Sequence, residues 1–518
     1  MQLWQFFISH QQEILQQTLT HLVLAAISTT IAILIGVSTG LILTRYPKAA
    51  NQVIGVVSVI QTIPSVALLG FLLPLLGIGS TPAIVALFLY ALLPILRNTY
   101  TGIEEVDSSV TEAAKGMGMP NRQILLKVEL PLAMPVIFAG IRTATVATVG
   151  IATLSALIGS GGLGTFIFRG IALNNVDMIL AGAIPAAALA ILLDFGLGLL
   201  QPRVLRLLKP ILVSVTLVFL LLLSQIVFSS LRPQPLKAGF TSEFVERADG
   251  YPGLQQHYDL SLDSVELDPG LMYEAIREKK VDVVSGFTTD GRIDAYNLTV
   301  LEDDQQYFPP YYAAPLVRGA TLRKYPQLQP ALAKLAEALS DETMIKLNDR
   351  VDRLKEPSQK VVQDFLKQSG FKTTIDRQGK PDIVIGSKNF TEQYLLAEMM
   401  GIVIENSTDL DVELKTGLAG TKICFDALKK GAIDLYPEYT GTGLLVILQA
   451  DETTLKNMGQ DREEVFKYVQ KVSKERHDVE WLASFGFNNS YALMMRTEDT
   501  KKLNITSISD LKRHLESL

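Results

Sequence analysis

Hydrophobic residues run almost without interruption through residues 1–231 and break into short runs separated by charge over 232–518. A helix needs about 20 apolar residues to cross the core of a bilayer. Leu22–Thr44 meets that length and carries no charge. Asn51–Leu96 is also uncharged and is long enough for two helices, folded back at Gly77-Ile78-Gly79-Ser80-Thr81-Pro82. Ala133–Ile158, Met178–Leu200 and Pro210–Leu231 complete a set of six predicted spans. Ahead of them, MQLWQFFISHQQEILQQ lacks a basic start. It reads as a short amphipathic helix on the membrane surface, not as a cleavable secretion signal.

The second half has a different rhythm. Leu236–Phe240, Val281–Gly286, Asp382–Ile385 and Val412–Lys415 read as short strands. Helical patterns fall near Pro269–Glu278, Pro330–Ala338, Thr391–Val403, Thr421–Lys430 and Arg462–Ser473. Short apolar strands alternating with helices predict an α/β fold with largely parallel sheets. Leu231-Arg232-Pro233-Gln234-Pro235 reads as a stiff linker into this domain, and the polar insert Phe371–Lys380 divides it into two halves.

Charge then orients the spans. Arg45 and Lys48, then Arg97, Lys115, Arg122 and Lys127, then Arg203, Arg206 and Lys209 occupy alternate connections, while the opposite connections carry only Arg169. The positive-inside rule makes the first set cytoplasmic and places the N-terminus and residues 232–518 outside. Arg142 and Asp194 lie inside spans near the cytoplasmic end. A charge at a helix centre costs about 2.5–3.5 kcal/mol on insertion scales, so each is expected to snorkel to the surface. The 518 residues allow two or three domains. A mean hydropathy of +0.26 with 19% charged residues suits a chain that is part membrane and part aqueous. The net charge of −6, with no basic tract, argues against nucleic acid as a partner. The single cysteine, Cys424, lies in an apolar helical pattern as a small core residue and excludes an internal disulfide. His10, His21, His257, His477 and His514 are scattered with no nucleophile–base spacing, so an enzyme is not expected.

Between two membrane-length runs lies EAAKGMGMPNRQILLKVELP, Glu112–Pro131. Glu112, Ala113 and Ala114 favour helix, Gly116 and Gly118 break it, and Met119-Pro120-Asn121 turns into Arg122–Leu130, with Pro131 opening the next span. By composition alone this is either a docking hook or an ordinary loop. Its pattern resembles the EAA coupling loop of ABC importer permeases, with Val128 where Ile is common. That resemblance implies contact with an ABC ATPase through Glu112, Ala113, Ala114, Gly118, Leu130 and Pro131. Gly159-Ser160-Gly161-Gly162-Leu163-Gly164 lacks phosphate-loop spacing. It resembles instead the glycine-rich loop of the same permeases. With no nucleotide motif, no cofactor is expected in this chain, and ATP with Mg belongs to a separate subunit.

Five motifs of the second half read as loops, four of them holding aromatic residues: GSKNFTEQ (386–393), DLYPEYTGTG (434–443), FNNSYAL (487–493), TTDGRI (288–293) and FPPYYAAP (308–315). Each sets Tyr, Phe or a turn residue where a periodic core face is not evident. Tyr and Phe faces suit a quaternary ammonium, whose diffuse charge makes cation–π contacts of about 0.5–2 kcal/mol per ring. These motifs resemble the extracytoplasmic binding proteins of the glycine betaine/choline/carnitine importer family, which includes ergothioneine receptors. The resemblance implies a ligand cage of Phe390, Tyr436, Tyr439, Tyr491 and Tyr311, with Asn389, Asn489 and Thr289 as polar partners. Glu438 and Asp290 are either site residues or turn caps. Relative to that family the motif order is reversed: Ala238–Gly370 carries the family's later half and Asp382–Leu518 its earlier half. A circular permutation bridged by residues 371–381 is expected, the competing account being a truncated chain whose halves pair with other copies.

The implied architecture has several domains. An all-α transmembrane bundle of the type I ABC importer permease fold spans 1–231. An α/β two-lobed domain like the type II periplasmic binding proteins spans 236–518. The implied assembly is a homodimer in the bacterial inner membrane with ATPase subunits, taking up a small trimethylammonium solute. A membrane-tethered sensor using the same binding domain is the rival, and it has no use for the EAA hook.

Overall fold

The structure is a computed structural model describing residues 2–173, 175–201, 236–247, 249–373, 380–418, 420–451, 454–455, 458 and 460–517. The predicted sixth span, Arg203, Arg206, Lys209 and the Leu231–Pro235 linker lie outside these residues, as do positions 374–379 of the bridge. The chain divides into two compact units, one drawn chiefly from the apolar part and one from the charged part.

The first unit is all helix. Gln2–Ser9 is followed by Gln11–Leu43, Ser80–Glu104, Asn121–Ala152 and Val176–Leu200, the last four long and apolar enough to cross a membrane. Pro47–Thr62 and Ser65–Leu76 together form a fifth candidate, bent by 99°. This bend corrects the expectation of a plain span from Asn51. Ile63 precedes Pro64, and the proline ring pushes its neighbour out of the helical region into an extended conformation, with ψ of 127°. The fold-back at Gly77–Pro82 is present: Gly77 and Gly79 hold φ of 80° and 95°, and the next helix starts at Ser80. Small residues let the helices approach closely. A Cβ at Gly40 would lie 2.7 Å from the Thr99 side chain, and one at Gly140 would lie 2.6 Å from Asn98.

The hook departs from expectation in its second arm. Ser108–Gly116 is a helix capped by Asp107, whose carboxylate accepts from Ser109 N at 2.9 Å. Gly118 turns the chain with φ of 78°, and Asn121 restarts the helix. That helix does not stop before the span. Pro131 has no N–H to give, and the wider π turn Leu125–Glu129, where Leu130 N–H reaches Leu125 O, carries the helix past it unbroken. Glu129 is buried at the junction and accepts from Arg45 Nη2 at 2.6 Å. Arg142 and Asp194 do not snorkel separately: Nε and Nη2 of Arg142 meet the two carboxylate oxygens at 3.0 and 2.8 Å. The partners are 52 residues apart, and pairing lets each charge shield the other within the bundle.

The second unit contains two five-stranded mixed sheets. Its strands are β1 (Lys237–Phe240), β2 (Asp263–Glu266), β3 (Val283–Phe287), β4 (Leu298–Val300), β5 (Ala313–Arg318), β6 (Ile383–Gly386), β7 (Val412–Lys415), β8 (Leu435–Tyr439), β9 (Val479–Trp481) and β10 (Tyr491–Arg496). The first sheet runs β2-β1-β3-β10-β4 and the second β7-β6-β8-β5-β9. Within each, a parallel pair (β1 with β3, β6 with β8) abuts one antiparallel strand, β10 or β5, so the sheets are mixed and not largely parallel. Counted from β6, the second sheet repeats the order of the first: second, first, third, inserted, fourth. Each inserted strand follows the four strands of the other sheet in the chain. The chain therefore crosses between lobes at β4–β5 and again at β9–β10. Helix Ile508–Glu516 opens with a capping box of Ser507 and Asp510, and its Lys512 meets Asp259 of the first lobe at 3.1 Å.

The lobes meet tightly where loop 288–291 of the first rests on helix Asp341–Asp352 of the second. Asn348 Nδ2 donates to Thr289 O at 2.8 Å. A Cβ at Gly291 would fall 2.3 Å from Asp349 N and 2.5 Å from its Cα, both backbone atoms. Gly291→Ala is therefore expected to prise this contact open, weakening it by about 1–3 kcal/mol as overpacking does. Amide exchange across residues 341–352 should quicken, and unchanged exchange would show that the seam can adjust. In the first unit, Arg45→Ala is expected to lower the melting temperature in detergent. It leaves the buried Glu129 carboxylate without its partner, at about 1–3 kcal/mol. A double variant, Arg45→Ala with Glu129→Leu, should recover part of the loss.

Candidate ligand-binding site

A row of aromatic rings runs along the seam between the lobes. Phe287 ends β3, and its ring stacks on Phe390 of the second lobe at 5.7 Å and on Tyr491 at 4.9 Å. Phe390, the residue before helix Thr391–Ser407, also stacks on Tyr439 at 6.4 Å. Tyr491, which opens β10, meets Tyr311 edge-on at 5.8 Å. Tyr439, Phe390, Phe287, Tyr491 and Tyr311 thus form one chain of ring contacts drawn from both lobes. Phe287 and Phe390 are half-buried, and the three tyrosines are buried. Burial pushes all three phenols well above their usual range, so they stay protonated near neutral pH.

Local structure explains which expected residues join the row. Tyr439 ends β8 facing the seam, but Tyr436, three positions earlier, points the other way. It lies in the second lobe's own core with Trp481, Val465 and Val469, and its hydroxyl donates to Glu438 at 3.0 Å. Tyr436 thus packs in that core and not in the ring row, which follows from YPEY being a buried strand and not a loop. On a strand, side-chain direction alternates with a period of two. Glu438 shares that face and forms a buried pair with Lys388 at 2.6 Å. Asp290 accepts from Arg292 N at 3.0 Å, pairs with the Arg292 guanidinium and receives the Tyr273 hydroxyl at 2.5 Å, the turn-capping alternative. Asn389 is exposed, away from the buried contacts. In the hook, Glu112, Ala113 and Gly118 are exposed and Ala114 is buried, while Leu130 and Pro131 are half-buried.

The polar centre of the seam is Glu392, which sequence reasoning passed over. It is 3% exposed, in the first turn of helix Thr391–Ser407. Its Oε2 accepts from Thr289 Oγ1 at 2.6 Å and Asn348 Nδ2 at 3.0 Å. Its Oε1 accepts from the Tyr439 hydroxyl at 2.7 Å and Asn489 Nδ2 at 2.7 Å. Two of the expected polar residues, Thr289 and Asn489, are thus gathered on one carboxylate. Burial pushes the Glu392 carboxyl above its usual range, opposed by those four hydrogen bonds. An acid two residues after the Asn-Phe of an aromatic loop, in the first turn of a helix, was the available signal.

Arg247 and Asp249 were likewise missed. The Arg247 guanidinium lies 5.3 Å from the Tyr491 ring centre and donates from Nε to Asp249 at 2.7 Å. Asp249 also receives the Tyr311 hydroxyl at 2.6 Å, and Arg247 reaches Thr442 of the second lobe at 3.3 Å. Burial alone would raise Asp249; Arg247 outweighs it and holds the carboxyl below the usual range. Ring faces, an acid hub and a committed ion pair thus lie together along this seam.

Comparison with known proteins agrees on both units. Residues 14–206 match the family described as the binding-protein-dependent transport system inner membrane component. Residues 228–368 and 381–518 match the substrate-binding domain of the ABC-type glycine betaine transport system. The chain is 50% identical over 198 residues to the carnitine transport permease protein OpuCB of Listeria monocytogenes, covering 38% of this chain and 91% of that protein. It is 47% identical over 199 residues to the choline transport system permease protein OpuBB of Bacillus subtilis, covering 38% and 92%. An inward-facing structure of the MetNI methionine ABC transporter aligns at 24% identity and a TM-score of 0.36, over 38% of this chain and 98% of that one. The chain belongs to the ABC-type glycine betaine transport family, uniting in one multi-pass membrane polypeptide a transport permease component and a substrate-binding domain.

Proposed function

We propose that this chain is the permease and receptor of an ATP-driven importer for a small trimethylammonium solute: glycine betaine, choline, carnitine or ergothioneine. The observation that carries the reading is the row Tyr439–Phe390–Phe287–Tyr491–Tyr311, built from both lobes. Ring faces attract a diffuse cation that offers no conventional hydrogen bond. The carnitine and choline transport permeases among its relatives support a solute of this class. The binding domain lies outside the inner membrane, six spans cross it, and two copies form the translocation path. ATP with Mg is used by a separate ATPase pair, which the exposed face of residues 112–118 engages. Closing of the lobes on ligand presents the receptor to the permease, and ATP binding then switches the path through the hook.

We also read the domain as circularly permuted. Support comes from the repeated strand order: the chain enters the domain before β1, at the place equivalent to the 371–381 bridge before β6. Starting a two-lobed fold at one such place or the other leaves every strand its neighbours. Domain termini commonly lie near one another at the surface, so a short bridge suffices.

Calorimetric titration of the detergent-solubilised chain with the four solutes is expected to give heat with at least one of them. Tyr439→Ala should weaken that binding by about 2- to 30-fold, the worth of one ring. Heat with none would remove the ligand reading. Gly118→Asp places a side chain on a left-handed residue of the hook and should abolish uptake in reconstituted vesicles while leaving ligand affinity intact. Loss of affinity would overturn that division of labour.

A further inference from the structure

The buried charges beside the ring row do not cancel. Lys388 is matched by Glu438, Arg247 by Asp249 and Arg292 by Asp290, each pair in direct contact. Glu392 has no such partner: among the described residues no cation lies within ion-pair distance, and its four contacts are neutral donors. A carboxylate taken out of water without a counter-charge is strongly disfavoured, which is why such groups normally pair or bind cations.

A second observation lies at the same place. Asn348 and Asn489 each spend their amide N–H on Glu392, which fixes the orientation of both side chains. Their carbonyl oxygens, Oδ1 in each case, are then buried with no donor. Both residues are 3% exposed. An orphaned buried acceptor ordinarily costs about 1–3 kcal/mol, and two of them flank one lone acid. This end of the row therefore presents acceptor oxygens and an uncompensated negative charge. Tyr439 connects it to the rings, since its phenol donates to Glu392 while its ring stacks on Phe390.

We infer that Glu392, with the carbonyl oxygens of Asn348 and Asn489, is the counter-charge of the bound cation and a determinant of specificity for charged over neutral ligands. This rests on the trimethylammonium reading and deepens it. The methyl hydrogens of such a cation carry its positive charge outward and make C–H···O contacts, which suits acceptors that no N–H or O–H reaches. Glu392 acts in part through Tyr439: a phenol donating to a carboxylate has a more electron-rich ring for the cation to face. Because Thr289 comes from the first lobe and Glu392 from the second, the same acid ties the ligand's charge to the contact between the lobes.

The test compares choline with its uncharged carbon isostere, 3,3-dimethylbutan-1-ol, by titration of the full chain in detergent. The wild type is expected to prefer choline at least tenfold. Glu392→Gln should cut that preference at least fivefold, and Glu392→Asp, which keeps the charge, should retain it even where both affinities fall. Asn348→Leu, which removes one carbonyl at similar size, should lower the preference about two- to threefold, including if Glu392→Gln does not fold. A purely structural role weakens both ligands equally, so an unchanged ratio in Glu392→Gln or, failing that, in Asn348→Leu overturns the inference. Failure of the wild type to bind choline or any of the other three solutes would instead bring down the ligand reading on which it rests.

Discussion

An acid shut inside a protein must be hydrogen-bonded, paired or neutralised, and Glu392 meets that demand by drawing on both lobes at once. Thr289 comes from the turn after β3, Asn489 from the segment entering β10, and Tyr439 and Asn348 from the second lobe. The Thr289 donor is supplied only where loop 288–291 lies against helix Asp341–Asp352. Gly291 permits that approach because it has no Cβ to meet the Asp349 backbone. The ring row crosses the same seam, where Phe287 stacks on Phe390.

Much of this was legible in the residues, and the failures have identifiable causes. Uncharged runs of membrane length marked the helices of the first unit, and Gly118 with Pro120 marked the turn of the hook, because these signals are local. The bend at Ile63-Pro64 was hidden by an unbroken apolar run, in which proline was the sole warning. The Arg142–Asp194 pair joins residues 52 apart, a relation that no window along the chain contains.

Strands β5 and β8 were missed for a sharper reason. Each holds a proline, Pro315 and Pro437, and proline normally argues against a central strand. In the second sheet these two prolines face each other at one rung of the antiparallel ladder. Their missing donors coincide there, and their carbonyls find partners elsewhere: Leu482 N reaches Pro315 O at 3.0 Å and Gln393 Nε2 reaches Pro437 O at 2.9 Å. Once YPEY is a strand, alternation sends Tyr436 inward and Tyr439 to the seam. The aromatic motifs pointed to the right neighbourhood, but only pairing decided which rings meet.

The insertion of β10 between β3 and β4 bears on how the domain is made. A ribosome releases β1 to β4 early, yet these cannot complete their sheet, because the strand that joins β3 to β4 emerges only after the entire second lobe. Until then β3 and β4 present open edges, the kind that invites wrong pairing with other chains. Closing such a distant pairing also makes folding slow. The first lobe is thus begun first and finished last, and a nascent chain stalled before Tyr491 carries an unfilled slot in the middle of a sheet.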